Sequence, residues 1–275
     1  MKGKIIKILS NDYTVKLENN DIIVVKARGI FRKDNITPLA GDNVIVDTSK
    51  KIIDKIEKRK NELVRPPVCN IDQAIIVTSC TNPSFSSNLL DKMLNIIEFN
   101  NIKPIIIITK YDLLEDTKEI DKVINYYKNI GYQVYINNEL DKIKKIFDSK
   151  VSILTGQTGV GKSTLINKLS GMNLETNEIS KALGRGKHTT RHIELYELFN
   201  GFIADTPGFS SLSFVDMTKE DIRDNFVEFN LYRESCKYKD CMHSKEPFNE
   251  CEIKRRVGND ILRSRYENYL KFIEK

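Results

Sequence analysis

Five segments in the first 66 residues alternate or cluster β-branched and polar positions: Ile5–Leu9, Tyr13–Leu17, Ile22–Ala27, Val44–Asp47 and Ile52–Ile56. Successive side chains of a strand point to opposite faces, so this pattern predicts half-buried strands. Turn-forming clusters, Ser10-Asn11-Asp12 and Glu18-Asn19-Asn20-Asp21, separate them. Five short strands in so little chain predict a small closed β-barrel of the OB-fold type. Pro66-Pro67 then breaks the pattern and marks a linker.

Beyond it the texture changes. Ala74–Thr78 is a continuous apolar run, as a parallel strand covered on both faces requires. Helical spacing over Leu89–Phe99 and about Thr117–Gly131 alternates with the strands Pro104–Thr109, Gln133–Ile136 and Val151–Thr155, and a helix follows from Gly161. Alternation of this kind predicts a doubly wound α/β unit. After residue 211 a capping box, Thr218 with Asp221, opens a helix to about Glu228. A helical pattern from about Lys254 then runs through Val257, Ile261, Leu262, Tyr266, Tyr269, Leu270 and Ile273. The expected organisation is a barrel over 1–66, an α/β unit over 67–210 and an α-helical unit over 211–275.

Composition narrows the class. The 275 residues are 40% hydrophobic and 30% charged, which excludes a disordered or collagen-like chain. The apolar runs, such as Ile105–Ile108, are far shorter than the roughly 20 residues of a membrane span. With no signal-like stretch at its start, the chain is expected in the cytoplasm, without a membrane partner and as a monomer. The net charge of +6 is segregated: residues 1–66 hold 15 basic and 9 acidic side chains, 67–210 hold 16 of each, and 211–275 hold 13 of each. The whole excess sits on the predicted barrel, as a unit that meets a polyanion would have it.

Gly156-Gln157-Thr158-Gly159-Val160-Gly161-Lys162-Ser163-Thr164 contains G-x-x-x-x-G-K-S between an apolar strand and a helix. Its glycines let backbone N–H groups converge on phosphate oxygens, and the helix presents its positive end to the same anion. Lys162 would reach the β/γ-phosphates and Ser163 would ligate Mg²⁺. Asp205-Thr206-Pro207-Gly208 lies 49 residues beyond Gly156, where an acid can hold Mg²⁺ through water and the Gly208 N–H can sense the γ-phosphate. Thr109-Lys110-Tyr111-Asp112 follows a strand. A carboxylate at Asp112 can accept from N1–H and the 2-amino group of guanine; adenine offers neither donor and would leave that carboxylate unpaired. The Lys110 stem would lie across the purine. Four further residues, Cys236, Cys241, His243 and Cys251, read C-x₄-C-x-H-x₇-C. Three thiolates and an imidazole suit one tetrahedral, structural Zn²⁺.

The motif order is unusual: the guanine motif precedes the phosphate loop, which precedes the acid. That is the order of a circularly permuted GTPase, and it runs the segment after Gly208 straight into the C-terminal unit. With Arg28–Lys33, Pro38–Asp42, Asn61–Pro66, Asn70–Asp72, Gly186–Thr190 and the cysteine knuckle, the chain resembles the small-ribosomal-subunit-dependent GTPase A family over nearly its whole length. The resemblance implies an OB-fold, a permuted Mg²⁺-dependent GTPase and a zinc domain, acting with GTP and GDP on the small ribosomal subunit and its rRNA during late maturation.

Phe209 stands where many GTPases carry a water-orienting glutamine. His188 is the candidate to position water instead, with Thr189 or Thr190 closing over Mg²⁺. Arg28, Phe31, Arg32 and Lys33 suit phosphate contact and base stacking. The chain departs from the family pattern in three places. The gap from His243 to Cys251 is two residues longer, Asn137-Asn138 replaces Ser-Ala, and Thr109 replaces an asparagine, which is expected to remove an amide bridge. Two other classes stay open at this point: an RNA-binding assembly factor without stimulated turnover, and an ATP-dependent kinase.

Overall fold

The computed structural model describes residues 1–29, 31, 36–63, 67–170, 194–204, 213–214 and 216–274. Among them, β1 (Lys2–Leu9), β2 (Asp12–Leu17), β3 (Ile22–Ala27), β4 (Asn43–Asp47) and β5 (Ile52–Ile56) close into a barrel in the order β1-β2-β3-β5-β4. Alternate residues point inward, so Ile5, Val15, Val25, Val44, Val46 and Ile53 form its core. The short strands β6 (Glu62–Leu63) and β7 (Val68–Cys69) pair on either side of the predicted linker. Beside them the Arg59 guanidinium grips the fully buried Asp42 carboxylate with two bonds of 2.8 Å.

The second body is a six-stranded sheet in the order β10-β9-β8-β11-β13-β12. Its strands are β8 (Gln73–Ser79), β9 (Lys103–Thr109), β10 (Gln133–Ile136), β11 (Val151–Thr155), β12 (Leu195–Leu198) and β13 (Gly201–Ala204). All neighbours run parallel except the β12/β13 hairpin. The central strands are mostly apolar along their middles because helices cover both faces: α1 (Ser87–Phe99) and α2 (Lys118–Asn129) on one, α3 (Leu140–Ile146) and α4 (Lys162–Ser170) on the other. The barrel rests on the edge strand. Lys7 pairs with Glu194 at 2.9 Å, and Lys16 pairs with Glu197 and lies over the Phe202 ring.

In the C-terminal unit the capping box is present, and α5 (Lys219–Asp224) ends sooner than the pattern suggested. The predicted continuous last helix is instead two, α6 (Glu252–Arg256) and α7 (Arg263–Ile273). Gly258, at φ +93°, turns the chain between them, while Val257 and Ile261 bridge the turn and keep the apolar spacing intact. A buried ionic cluster joins this unit to α1. The Arg265 guanidinium donates to Asp91 at 2.6 Å and to both Glu228 oxygens at 2.5 and 3.0 Å. Tyr127 and Asn268 complete the shell of Asp91 at 2.5 and 2.7 Å. Burial pushes the Asp91 carboxyl above the usual range despite this company.

Candidate functional site

The phosphate loop leaves the fully buried β11 at Gly156. A Cβ there would stand 2.1 Å from the Val77 carbonyl oxygen of β8, at φ +144°, so only glycine fits. The buried Val160 side chain anchors the loop in the core, leaving Gln157, Thr158 and Gly159 exposed at the rim. Ser163 is half-buried and Thr164 exposed in the first turn of α4. The Lys162 ammonium donates to the Gly156 and Gln157 carbonyls at 2.7 and 2.9 Å, and burial lowers its pKa. A phosphate placed in the loop would replace these neutral acceptors with an anion.

The candidate base-reading turn stands beside it because β9 and β11 flank β8 in parallel. The Thr109 hydroxyl lies 2.5 Å from the Val160 carbonyl and donates to it. The amide bridge expected to be lost is therefore replaced: a shorter side chain reaches because Thr109 is buried at the end of β9, directly against the loop. Lys110, in the left-handed region at φ +59°, extends to the Gly159 carbonyl at 2.9 Å and also bonds the Asn82 carbonyl. Tyr111 spends its hydroxyl on Asp121 of α2, 2.9 Å away. Asp112 is exposed and accepts from the Asn137 side-chain amide at 2.9 Å, a bond that holds its carboxyl below the usual range. The Asn82 carbonyl was not legible as part of this site, since no motif carries it; the family pattern marked the position of Asn137 but not the bond that its side-chain amide makes to Asp112.

Several expected site residues lie outside the described residues: His188, Thr189, Thr190, Asp205, Gly208, Arg32 and Lys33. Of the proposed RNA contacts, Arg28 is half-exposed and paired with Asp54 at 2.5 Å. Phe31 requires correction. It is 7% exposed and belongs to the barrel core with Val25 and Val46, so its ring has no free face for a base.

Cys236, Cys241, His243 and Cys251 come together, their candidate ligand atoms all within 4.8 Å of one another. His243 Nδ1 is 3.4 Å from Cys251 Sγ and 3.7 Å from Cys236 Sγ. Ligands at the usual Zn–S and Zn–N lengths on a tetrahedron lie about 3.6 Å apart, so the spacing fits one zinc ion. Burial pulls the imidazole down to about 4, leaving it neutral and able to ligate, and pushes the Cys241 and Cys251 thiols up. A cation among them would reverse that push and favour thiolates. The longer loop before Cys251 does not displace it. Glu246 accepts the Met242 and Ser244 N–H groups at 2.6 and 2.8 Å, and Lys254 donates to the Ser244 carbonyl at 2.7 Å, folding the extra residues back. The four residues are thus fitted to one structural Zn²⁺ whose bonds to them would hold the knuckle together.

Among the described residues no helix is long and apolar enough to cross a membrane. The sequence profile of the RsgA GTPase matches residues 56–215, and that of the RsgA N-terminal domain matches residues 2–52. The small ribosomal subunit biogenesis GTPase RsgA 2 of Oceanobacillus iheyensis is 49% identical, across 100% of this chain and 97% of its own. The small ribosomal subunit biogenesis GTPase RsgA of Bacillus subtilis is 46% identical, across 99% of this chain and 96% of its own. Two solved structures superpose on nearly the whole chain. The circularly permuted GTPase YloQ does so with a TM-score of 0.81 at 39% identity, covering 99% of this chain and 93% of that one. YjeQ from Thermotoga maritima gives 0.85 at 31% identity, covering 99% and 97%. Closed barrel, parallel sheet, cysteine–histidine cluster and full-length similarity converge on one conclusion: the chain belongs to the RsgA GTPase family, circularly permuted enzymes that hydrolyse GTP.

Proposed function

We propose that this chain couples GTP hydrolysis to late maturation of the small ribosomal subunit, in the cytoplasm and as a monomer, with three units divided near residues 66 and 210. The observation that carries the nucleotide assignment is the bridge from guanine motif to phosphate loop, Thr109 to Val160 and Lys110 to Gly159. These bonds hold a base-reading carboxylate and a phosphate cradle at a fixed separation, which is what recognition of one nucleotide demands.

In this reading Asp112 selects guanine and the Lys110 stem floors the base. The backbone from Gly156 to Gly161 and the Lys162 ammonium receive the phosphates. Mg²⁺, when bound with GTP, neutralises charge between the phosphates. Ser163 and, through water, Asp205 would hold it, with Thr189 or Thr190 closing over it. Gly208 senses the γ-phosphate and His188 positions the attacking water. Arg28, Arg32 and Lys33 on the basic barrel meet rRNA phosphates. The edge-strand contacts of Lys7 and Lys16 carry that docking toward the sheet.

The test is GTP turnover by purified protein alone, with small subunits and with large subunits. Stimulation by small subunits only is expected. The His188→Ala variant should bind GTP normally and lose at least about 100-fold of stimulated turnover. Equal turnover under all three conditions would overturn the subunit assignment, and undiminished stimulation in the variant would overturn the role of His188.

A further inference from the structure

The turn between β8 and α1 carries no recognised motif, yet it reaches the nucleotide site. Ser79, the last residue of β8, is 1% exposed, and its hydroxyl donates to the Pro83 carbonyl at 2.6 Å. The Cys80 N–H donates to the Thr109 carbonyl at 3.1 Å and ties the start of the turn to β9. At the far end the Ser86 hydroxyl accepts the Leu89 N–H at 3.3 Å and caps α1. Beneath the turn a cavity lined by Ser79, Ser86, Leu89, Gly156 and Val160 opens toward the phosphate loop, so hydrogen bonds more than packing fix its course. The Asn82 carbonyl, at its exposed edge, meets the Lys110 ammonium, which the Gly159 carbonyl also accepts from at 2.9 Å. The Pro83 ring stands 3.7 Å from where a Cβ on Gly159 would be, so turn and loop lie side by side.

We propose that Ser79 is a positioning residue for nucleotide retention: its bond to Pro83 holds the turn so that the Asn82 and Gly159 carbonyls clamp the Lys110 ammonium and lay its stem flat beneath the purine. The inference rests on the Lys110 stem as the floor of the base. A lysine side chain gives up much rotamer freedom when it is fixed, worth up to about tenfold in affinity if the ligand must impose that order. Here the order is imposed before the nucleotide arrives, by carbonyls that the end of β8 and the phosphate loop hold in place. Ser79 lies buried below the site and acts through the turn alone. A floor meets the face of any purine, whereas guanine is told from other bases along its edge. The effect of Ser79 is therefore on how long a nucleotide stays, not on which base is chosen.

The test measures dissociation constants and release rates of GDP and inosine diphosphate for the zinc-loaded full chain and its variants, with inorganic pyrophosphate as a competitor that has no base. Ser79→Ala should weaken both nucleotides by about fivefold to tenfold, through faster release, and leave the ratio between them unchanged. The inhibition constant of pyrophosphate should not move. Ser79→Thr keeps the hydroxyl and should stay within about twofold of the parent. Lys110→Met keeps an apolar stem without the clamped ammonium, so adding Ser79→Ala to it should cost nothing further. A merely structural role for Ser79 would weaken pyrophosphate as well and would persist in the Lys110→Met background; either result would overturn the proposal. So would GDP release unchanged by Ser79→Ala, or hastened equally by Ser79→Thr. Lys110→Ala separates the two layers. If it binds GDP as the parent does, the base-floor reading falls and takes the proposal with it. If it weakens GDP while Ser79→Ala does not, the floor stands and only the role of Ser79 falls.

Discussion

At the phosphate loop the groups held in place are mostly backbone atoms at the ends of parallel strands. At the cysteine–histidine cluster they are side chains on a stretch with little regular structure. The loop's position follows from the sheet: Gly156 is pressed against Val77, Val160 sits in the core, and the polar groups are left at the exposed rim. Among the described residues no sheet lies beneath the knuckle. Its Cys241, His243 and Cys251 are buried among Phe229, Tyr269 and Phe272, and the burial disfavours the thiolates a metal would need. One site is thus pre-organised by the fold, while the other contributes to folding only when its ligands share a cation.

That contrast can be broken most forcefully by removing the metal. Chelation should release one zinc per chain, make three more thiols titratable and destabilise the C-terminal unit by on the order of 5 kcal/mol or more. GDP binding should persist. Thiol titration, a thermal melt and GDP binding on one sample check this, and loss of nucleotide binding in parallel would show the two sites to be one cooperative unit.

A somewhat smaller effect is expected at the junction between them. Arg265→Met leaves Asp91 and Glu228 buried without their cation, a loss of about 3–5 kcal/mol in urea unfolding. The Asp91 carboxyl already titrates above its usual range, and losing Arg265 raises it further. A raised carboxyl pKa means stability is retained at low pH and lost as pH rises through it, so the variant should suffer less near pH 5 than near pH 8. Adding Asp91→Asn and Glu228→Gln to it should recover part of the loss.

The smallest effect belongs to Thr109→Val, which removes one hydroxyl bond to Val160. It should cost about 1 kcal/mol and weaken GDP binding several-fold, with the C-terminal unit unaffected. A stability loss as large as that of Arg265→Met would mean that the loop depends on this bond more than on the sheet.

Much of this could be read before the fold was seen. The barrel strands Ile22–Ala27 and Ile52–Ile56 and the sheet strands Gln133–Ile136 and Val151–Thr155 were predicted with the bounds they have, because period and turn chemistry act on adjacent residues. The helix α3 was missed because seven residues carry too few apolar positions to declare a period. The α6–α7 break was hidden because Val257 and Ile261 keep the spacing across the Gly258 turn. Phe31 looked like a stacking platform because a basic stretch surrounds it, and its neighbours in sequence say nothing of the core it fills.

The sequence by itself marked the candidate chemistry: which residues would cradle phosphate, read guanine or ligate zinc, and the permuted order in which they come. Tertiary structure decided how those residues are held. Thr109 meets Val160 across 51 positions, Asp112 meets Asn137 across 25, and Asp91 meets Arg265 across 174. Motif spacing is a local property of the chain, whereas these bonds depend on strand register and on which helix faces which, quantities set only when the whole core packs at once.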